Sequence, residues 1–211
     1  MSIKKFFHPT KHIDEGYKEI IKKAKKGLVI GCGNKYFGNN FIYTDIEKTK
    51  ITSVINDGHA LPFKDKSFDT VMIVAVLEHV KEPQIVINEI HRVLKKDGIV
   101  YSATPFMQPY HPSPTDYWRF TKDGLRYLFR EFEIIDIGVC AGPVSTLAWL
   151  TTRFFRNMLP RKINSLSSVI MIFFKPFQLI EKPIIKINPG DKKYDGMNGM
   201  ASGYYIIAKK V

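Results

Sequence analysis

Short, uninterrupted apolar runs alternate with amphipathic stretches over the first half of the chain. A continuous apolar run is typical of a strand buried on both faces, whereas apolar residues at helical spacing are typical of a helix that packs on one side. The apolar runs predict strands at 28–30, 41–44, 54–55, 70–74 and 99–102. Amphipathic stretches predict a helix at 13–26, ended by Gly27, and another from Pro83 to a stop at Gly98. The alternation predicts an α/β fold with helices on both faces of a parallel sheet.

The pattern changes after residue 121. Thr121 can cap a short helix that runs to about Arg130, because its hydroxyl can accept a hydrogen bond from a backbone N–H group of the first turn. Two further strands are predicted at 133–139 and 202–208. The residues between them, 141–201, form a predicted insertion rich in Leu, Ile, Phe, Lys and Arg.

The size of the chain, 211 residues and 24.3 kDa, fits one domain that carries an insertion. We assign residues 1–26 to an N-terminal amphipathic helix and 27–211 to the domain, with 141–201 as an insertion or lid. The two cysteines, Cys32 and Cys140, form no Cys-X-X-Cys pair, which argues against a disulfide framework or a structural zinc site. The first residues lack the apolar segment of a signal peptide, so we expect a cytoplasmic protein.

The net charge of +12 is concentrated in two segments. Residues 1–26 carry a net charge of +5 and residues 141–201 carry +6, whereas 27–140 carry −1. Segregated positive charge favours an anionic partner such as lipid headgroups, a phosphorylated substrate or nucleic acid. The alternative is that the lysines only keep the protein soluble.

A glycine turn and two acidic residues follow the predicted strands. Gly31-Cys32-Gly33 comes directly after the first strand, and such a turn lets backbone N–H groups approach a ligand closely. Asp45 ends the second strand and Asp57 follows the third. Because the carboxyl ends of parallel strands converge on one edge of an open sheet, these carboxylates could bind the ribose hydroxyls and the adenine amino group of an adenosine. The alternative is that both are solvated loop residues.

Six stretches together resemble the small-molecule branch of class I S-adenosylmethionine-dependent methyltransferases, which includes the ubiquinone and menaquinone biosynthesis type (methyltransferase type 11). They are VIGCG at 29–33, YTD at 43–45, NDGHALPF at 56–63, DKSFD at 65–69, VLEHV at 76–80 and EIHRVLKKDG at 89–98. The resemblance implies a Rossmann-like sheet of seven strands, the last antiparallel, and S-adenosyl-L-methionine as cofactor. The cofactor-binding residues it implies are Gly31, Cys32, Gly33, Asp45 at the ribose, Asp57, Gly58 and His59 around the adenine, and Ala75 near the methionine end.

The sequence departs from this family's pattern in three places. Val29 stands where an acidic residue usually contacts the methionine amino group, and Lys35 stands where the third glycine is usual. Only residues 32–40 separate the first two strands, so the first crossover helix should be cut to about one turn. A bacterial subgroup often linked to surface-glycan genes is similar in this shortening and in the loop that follows the fifth strand.

That loop, residues 105–121, starts at the edge where a methyl acceptor should lie. It is stiffened by prolines and has several polar side chains. His111 is the candidate catalytic base and Asp116 the residue that orients it. The candidates for substrate binding are Tyr117, Trp118 and Arg119, although the aromatic rings could equally pack the loop onto the sheet.

Other titratable residues compete weakly for a catalytic role. Glu78 and His79 belong to the VLEHV stretch, and their alternative role is simply to shape the turn after the fourth strand. His91 is expected on a helix surface. No carboxylate and histidine residues lie at the spacing of a metal motif, so we predict no metal. The expected chemistry is in-line displacement, in which the protein aligns the reactants and excludes water.

The insertion contains two uncharged apolar stretches, 137–152 and 163–174, on either side of the basic segment 153–162. Both stretches are shorter than the roughly 20 residues of a membrane-spanning helix. They indicate either a lid or a surface, within about 141–190, that contacts an anionic membrane or a lipid-linked acceptor. In the second case the protein would be peripheral on the inner face of the membrane.

Other functions are less well supported by the sequence. A dinucleotide-dependent dehydrogenase would need glycine where Tyr36 stands. The sequence argues against a nucleic-acid substrate, because no NPPY-like segment follows the fourth strand. A catalytically inactive cofactor-binding module remains an alternative because of Val29 and Lys35. We expect a small-molecule, glycan-linked or lipid-linked acceptor, while the sequence indicates neither its identity nor the oligomeric state.

Overall fold

The computed structural model describes residues 16–158, 173–178 and 199–211. The chain divides into two compact units. One comprises Glu15–Pro105, His111–Gly138 and Tyr205–Val211, and the other comprises Met1–Asp14, Phe106–Tyr110 and Val139–Tyr204. The elements, in chain order, are α1 (Gly16–Lys23), β1 (Gly27–Ile30), β2 (Phe41–Asp45), β3 (Val54–Ile55), β4 (Phe68–Val74), a 3-10 helix (Leu77–His79), α2 (Pro83–Val93), β5 (Leu94–Pro105), α3 (Lys122–Leu128), β6 (Glu133–Ala141), α4 (Pro143–Met158) and β7 (Gly203–Lys209).

Seven strands form one sheet in the order β3-β2-β1-β4-β5-β7-β6. Strands β1 to β5 pair in parallel, as their continuous apolar runs predicted. Strand β7 is antiparallel to β5: Lys210 N–H donates to the Gly98 carbonyl at one end, and Phe106 N–H donates to the Ser202 carbonyl at the other. The predicted α/β fold, with seven strands and an antiparallel last strand, is therefore confirmed.

The centre of the sheet provides the core. Leu28, Val71, Met72 and Ile73 on β1 and β4 are fully or almost fully buried. Helix α2 packs against β5, and its buried residues are Val86, Ile87, Ile90 and Val93. Burying both faces of the central strands positions the loops at their carboxyl ends, where a ligand would bind.

The connection between β1 and β2 contains no helix, in a stretch that the structure describes in full. A single turn, closed by a hydrogen bond from Lys35 N–H to the Cys32 carbonyl, replaces it. The predicted shortening of the first crossover is therefore confirmed. No helix of this fully described connection therefore covers the side of the glycine turn that faces it.

The predicted end of the first helix at Gly27 is wrong, because α1 ends at Lys23 and Gly27 is the first residue of β1. This glycine is required by packing rather than by a helix stop. A Cβ built on Gly27 would lie 2.2 Å from two ring carbons of Phe41 on the neighbouring strand. Residues 13–15 of the predicted helix lie outside the described residues.

The predicted stop of the second helix at Gly98 is also wrong. Helix α2 ends at Val93, where Leu94 turns to extended backbone and begins β5. Lys95, Lys96 and Gly98 therefore lie in the strand, beside a register irregularity where β5 pairs with β4. Asp97 takes the left-handed conformation, with φ of 58°, and accommodates this irregularity.

The unit that includes Val139–Tyr204 contains α4, the first part of the predicted insertion. Pro143, Ser145, Thr146 and Ala148 form its buried side, and the Thr146 hydroxyl donates to the Met200 carbonyl. No helix within residues 16–158, 173–178 and 199–211 is long and apolar enough to cross a bilayer. The rest of the predicted insertion, at 159–172 and 179–198, lies outside the described residues.

Candidate functional site

The turn after β1 is shaped by two glycines in the left-handed region. Gly31 has φ of 62°, and a Cβ there would lie 2.3 Å from a methyl group of Val76, so this glycine lets the VLEHV segment approach β1. Gly33 has φ of 51°, but a Cβ there would meet nothing within 4 Å. Gly33 therefore faces open space, as expected where a ligand approaches the backbone.

Cys32, between these glycines, is buried and engaged within the chain. Its backbone N–H donates to the Thr44 carbonyl, and its carbonyl accepts from Lys35 N–H. Its sulfur lies 3.6 Å from the Thr52 hydroxyl. Cys32 therefore holds the turn against β2, with its side chain directed away from the open space at Gly33.

Asp45 ends β2 beside this turn, as the sequence predicted. Its Oδ2 accepts a hydrogen bond from Gly33 N–H at 2.7 Å, and Oδ1 accepts one from Glu47 N–H at 3.1 Å. Each carboxylate oxygen can accept a further bond. The glycine turn and the carboxylate thus form one preorganised group that can still bind hydroxyl donors.

Lys35 reaches the carboxyl end of β4 from the shortened crossover. Its ammonium donates to the Val74 carbonyl at 2.7 Å. Loss of hydration lowers the pKa of Lys35, while the carboxylates of Glu78 and Asp45 oppose that change. A lysine in place of the usual third glycine therefore puts a cation at the edge between β1 and β4, which the sequence analysis did not anticipate.

The predicted adenine segment follows β3. Asp57 Oδ1 accepts from His59 N–H at 2.9 Å, and its Oδ2 lies 3.5 Å from His59 Nδ1. Gly58, with φ of 87°, is buried against Ile30 and Val86. The Asp57 side chain is about half exposed, so it is accessible to a ligand.

Ala75, the predicted contact at the methionine end, follows β4 directly. It has φ of 55°, a conformation that is uncommon for a residue with a Cβ. The bond from its N–H to the Ala103 carbonyl of β5, at 2.8 Å, holds it there. Ala75 is exposed, so the backbone between β4 and the 3-10 helix is accessible at the carboxyl edge of the sheet.

The loop after β5 is fastened to the 3-10 helix by its backbone. The N–H groups of Tyr117 and Trp118 both donate to the Glu78 carbonyl, and the Trp118 indole donates to the Val80 carbonyl at 2.9 Å. The Thr115 hydroxyl donates to the His79 carbonyl at 3.3 Å. These bonds bring His111 beside the VLEHV segment, although more than thirty residues separate the two in sequence.

Tyr117 and Trp118, predicted to bind substrate, remain 49% and 43% exposed. The Trp118 ring is anchored through its indole nitrogen, and its centroid is 6.4 Å from that of Phe120. The loop is fastened by its backbone and by the Trp118 indole, and both rings keep accessible surface, so their role in substrate binding stays a prediction.

His79, His111 and Glu78 form a compact cluster. Glu78 Oε1 lies 3.7 Å from His79 Nε2 and 3.9 Å from His111 Nε2. The imidazole rings meet edge to face with centroids 5.4 Å apart. Glu78 is fully buried, and within the described part of the chain neither of its carboxylate oxygens has a hydrogen-bond partner.

Asp116 is held mainly by Arg119. Arg119 Nη2 donates to Asp116 Oδ2 at 2.7 Å, and this guanidinium lowers the pKa of Asp116 to about 2. Asp116 Oδ2 also accepts from the His111 backbone N–H at 2.9 Å but lies 3.7 Å from His111 Nδ1. Asp116 therefore orients the His111 backbone more directly than its ring, and Arg119 serves as its counter-ion.

The sequence predicted the members of this cluster separately but did not predict the cluster. It assigned His111 and Asp116 to catalysis but rated Glu78 and His79 as weak competitors. The adjacent Glu-His pair could have been a signal, because both side chains sit in the turn after a strand whose carboxyl end faces a cleft. His91, on α2, packs edge to face against Phe132 instead.

Residues 28–102 match the family model described as a methyltransferase domain. Over this stretch, about a third of its length, the chain is similar to methyltransferase domains. The segment 76–80 and both glycines of the turn lie within the matched residues, whereas His111, Asp116 and Arg119 lie beyond them. The loop that brings these three residues to Glu78 is therefore an addition to the matched part of the domain.

Curated relatives match over part of their length. The domain is similar to an uncharacterized protein, MJ1123, of Methanocaldococcus jannaschii, with 40% identity over 95 residues that cover 40% of this chain and 46% of that protein. It is also similar to demethylmenaquinone methyltransferase of Streptomyces griseus, with 36% identity over 64 residues that cover 29% of this chain and 28% of that enzyme. The chain thus spans less than half the length of these relatives.

Solved structures share the fold over nearly the whole chain. A SAM-dependent methyltransferase from Archaeoglobus fulgidus superposes with a TM-score of 0.55 and 20% identity, covering 92% of this chain and 90% of that protein. The chain therefore shares its fold with that protein.

Proposed function

We propose that this protein transfers a methyl group from S-adenosyl-L-methionine to a nucleophile on a small-molecule, glycan-linked or lipid-linked acceptor. The observation that carries the proposal is the bond between Gly33 N–H and Asp45 Oδ2 beside a glycine that faces open space. A preorganised carboxylate at the end of β2 and an accessible glycine turn at the end of β1 suit a ribose and the adjoining part of a nucleoside.

The residues present fit this cofactor. Asp45 binds the ribose hydroxyls, Asp57 with Gly58 and His59 surrounds the adenine, and the exposed turn at Ala75 borders the methionine end. The Lys35 ammonium supplies a positive charge for the methionine carboxylate. The acidic residue that usually contacts the methionine amino group in this family is replaced by Val29. The cofactor provides an electrophilic methyl group on a sulfonium, which leaves the protein to align the acceptor and exclude water.

The acceptor binds over the loop that follows β5. Its nucleophilic atom faces His111, whose ring is 31% exposed and can take up a proton from a hydroxyl. Asp116 and Arg119 hold the backbone at His111 in place. The exposed rings of Tyr117 and Trp118 offer flat surfaces on which a sugar or an isoprenoid chain could lie.

A labelling experiment tests the reaction and the acceptor class together. The full chain is incubated with methyl-labelled S-adenosylmethionine and, separately, with polar metabolite, glycan, lipid and nucleic-acid fractions. We expect label in the metabolite, glycan or lipid fraction, and loss of that label with Asp45→Asn. Label confined to nucleic acid would overturn the acceptor class. Cofactor binding without labelling of any fraction would instead support an inactive cofactor-binding module.

A further inference from the structure

Glu78, His79 and His111 present one ligand atom each within 4.8 Å of one another. Two imidazole nitrogens and one carboxylate are the donor set of catalytic zinc sites and of mononuclear non-haem iron sites, both of which leave coordination positions open. The set arises from a turn after β4 and a loop after β5. It therefore lacks the sequence spacing of a known metal motif, which was the ground for expecting no metal.

The Glu78 carboxylate is the second, independent observation. It is fully buried, and among the described residues neither of its oxygens has a hydrogen-bond partner. The nearest histidine nitrogens, at 3.7 and 3.9 Å, are beyond hydrogen-bond distance of Oε1. A buried carboxylate that accepts no hydrogen bond is strongly unfavourable. The charges of Lys35 and Arg119 act on Glu78 from a distance, so in the part of the chain that the structure describes the cluster still lacks a group in direct contact that would satisfy it. A cation bound between the three side chains would do so.

The surroundings of His79 already suit a metal ligand. His79 Nδ1 contacts the Thr115 carbonyl oxygen, which only accepts hydrogen bonds, so Nδ1 carries the proton and Nε2 turns a lone pair toward Glu78. Metal-bound histidines are commonly oriented in this way by a carbonyl or a carboxylate on the other ring nitrogen. The tautomer that binding requires is thus already set at His79.

His111 has a carboxylate in the corresponding place. Asp116 Oδ2 lies 3.7 Å from His111 Nδ1, and Arg119 Nη2 lies 3.3 Å from the same nitrogen. Binding of a cation through Nε2 requires Nδ1 to carry the proton and to donate it to Asp116 in place of the guanidinium contact. At present Nδ1 accepts from the Arg119 guanidinium, so binding needs the other tautomer of His111 and a movement of its ring toward Asp116, while Arg119 stays paired with Asp116.

We propose that Glu78, His79 and His111 bind a divalent transition-metal ion of the zinc type, with at least one coordination position open. What that position does rests on the proposed function: it would hold and polarise the acceptor hydroxyl that is to be methylated, in place of proton uptake by His111. Binding of the ion itself does not depend on methyl transfer. Binding and turnover can therefore be tested apart.

Cobalt titration of the full chain is the direct test, since Co²⁺ in a zinc-type site of histidine and carboxylate ligands gives a visible absorption band. We expect one Co²⁺ per chain, displaced by Zn²⁺. The variants Glu78→Gln, His79→Asn and His111→Asn should each weaken affinity at least tenfold. The matched controls His91→Asn, on α2, and Glu82→Gln, on its exposed N-terminal end, should leave affinity unchanged.

Two results would overturn the proposal. One is the absence of a cobalt band and of calorimetric Zn²⁺ binding in a parent protein that still binds S-adenosylmethionine, which would leave the proposed function standing. The other is metal binding that none of the three substitutions weakens. Because Glu78→Gln alters a buried position, circular dichroism checks its fold, and the part-exposed His111→Asn supplies an independent reading.

Discussion

Asp45 is the single residue on which the cofactor assignment most depends. Its carboxylate is held by two backbone N–H groups, from Gly33 and Glu47, and so is fixed before any ligand arrives. Such preorganisation lowers the entropic cost of binding a pair of hydroxyl groups. An amide in its place would keep the shape but lose the charge and one acceptor oxygen.

The change Asp45→Asn should therefore weaken the affinity for S-adenosylmethionine and for its demethylated product about tenfold or more. A hydrogen bond to a charged group is worth roughly 1.5–3 kcal/mol, which corresponds to that range. Isothermal titration calorimetry measures both affinities, with the exposed neighbour Glu47→Gln as control. Equal affinity in the variant and the parent would remove Asp45 from the ribose site.

His111 should affect turnover more than cofactor binding. The variant His111→Ala should lower kcat at saturating cofactor by at least tenfold, because it removes the group nearest the acceptor under either proposed role. The dissociation constant of the cofactor should change less than twofold. A collapse of cofactor affinity with unchanged kcat would instead place His111 in the cofactor site, and His91→Ala controls for a general effect of losing a histidine.

At this scale the sequence predicted Gly31, Gly33 and Asp45 correctly in position, because each directly ends or follows an apolar run. It could not predict that the Glu78 carboxylate is buried. Glu78 follows an apolar residue in a 3-10 turn, and which side of such a turn faces inward depends on the loop from residue 111 that covers it.

Among the secondary-structure elements, α2 is joined to the loop after β3 by one guanidinium. Arg92 bonds to Glu89 on its own helix, to Asp65, and to the carbonyls of Phe63 and Leu61. Glu89 also accepts from Leu61 N–H at 2.7 Å. This network holds the NDGHALPF segment, and so the predicted adenine site, against the helix.

Replacing Arg92 by Met should lower the free energy of unfolding by about 1–3 kcal/mol at pH 7. The guanidinium lowers the pKa of Glu89 in the folded protein. Because the pKa of Glu89 in the folded protein lies below its ordinary value of 4.5, the ionised Glu89 stabilises the fold above that pH. This contribution is lost as the pH falls through the folded pKa. The difference in free energy of unfolding between variant and parent should therefore narrow in acid. Urea unfolding at pH 7 and below pH 4 measures this.

The exposed pair of Arg126 and Asp123 on α3 supplies the control for that experiment. Arg126→Met should change stability by no more than about 0.5 kcal/mol, since exposed ion pairs contribute little. If Arg92→Met behaves like this control, the network does not support the adenine segment.

Strands were easier to predict than helix ends. Every predicted strand is present, with ends within a few residues of the prediction, because a strand buried on both faces needs continuous apolar side chains. Both predicted helix stops failed, because glycine serves packing as well as termination. Gly27 admits the ring of Phe41, and a Cβ on Gly98 would lie 2.8 Å from the Lys95 carbonyl oxygen.

At the scale of the whole molecule, charge and exposed apolar surface coincide on α4. This helix carries five side chains between 40% and 68% exposed, namely Leu147, Leu150, Phe154, Phe155 and Met158. Arg153 and Arg156 are exposed on the same helix. The sequence predicted this composition, but an apolar helix face is equally consistent with a lid, so composition alone could not predict a role.

We predict that the α4 surface binds anionic membranes reversibly. The stripe at 147, 150, 154 and 158 follows helical spacing, and aromatic residues beside arginines are typical of interfacial helices. Each arginine near an anionic bilayer contributes about 1 kcal/mol, and burial of the phenylalanine rings adds to it. Flotation with vesicles of phosphatidylcholine and phosphatidylglycerol at low salt should carry the parent protein to the lipid fraction.

The double variant Arg153→Ser/Arg156→Ser and the variant Phe154→Ser should each reduce flotation. The double variant Lys122→Ser/Arg126→Ser, on α3, removes the same number of positive charges away from the apolar stripe and should float like the parent. Raising the salt from 0.1 M to 1 M should release the parent, because the Debye length falls from about 10 Å to about 3 Å. A parent protein that stays with the soluble fraction at low salt would show that α4 covers something other than a membrane. In that case the same exposed residues are better tested as a lid, by protection of Phe154 from labelling when cofactor and acceptor are bound.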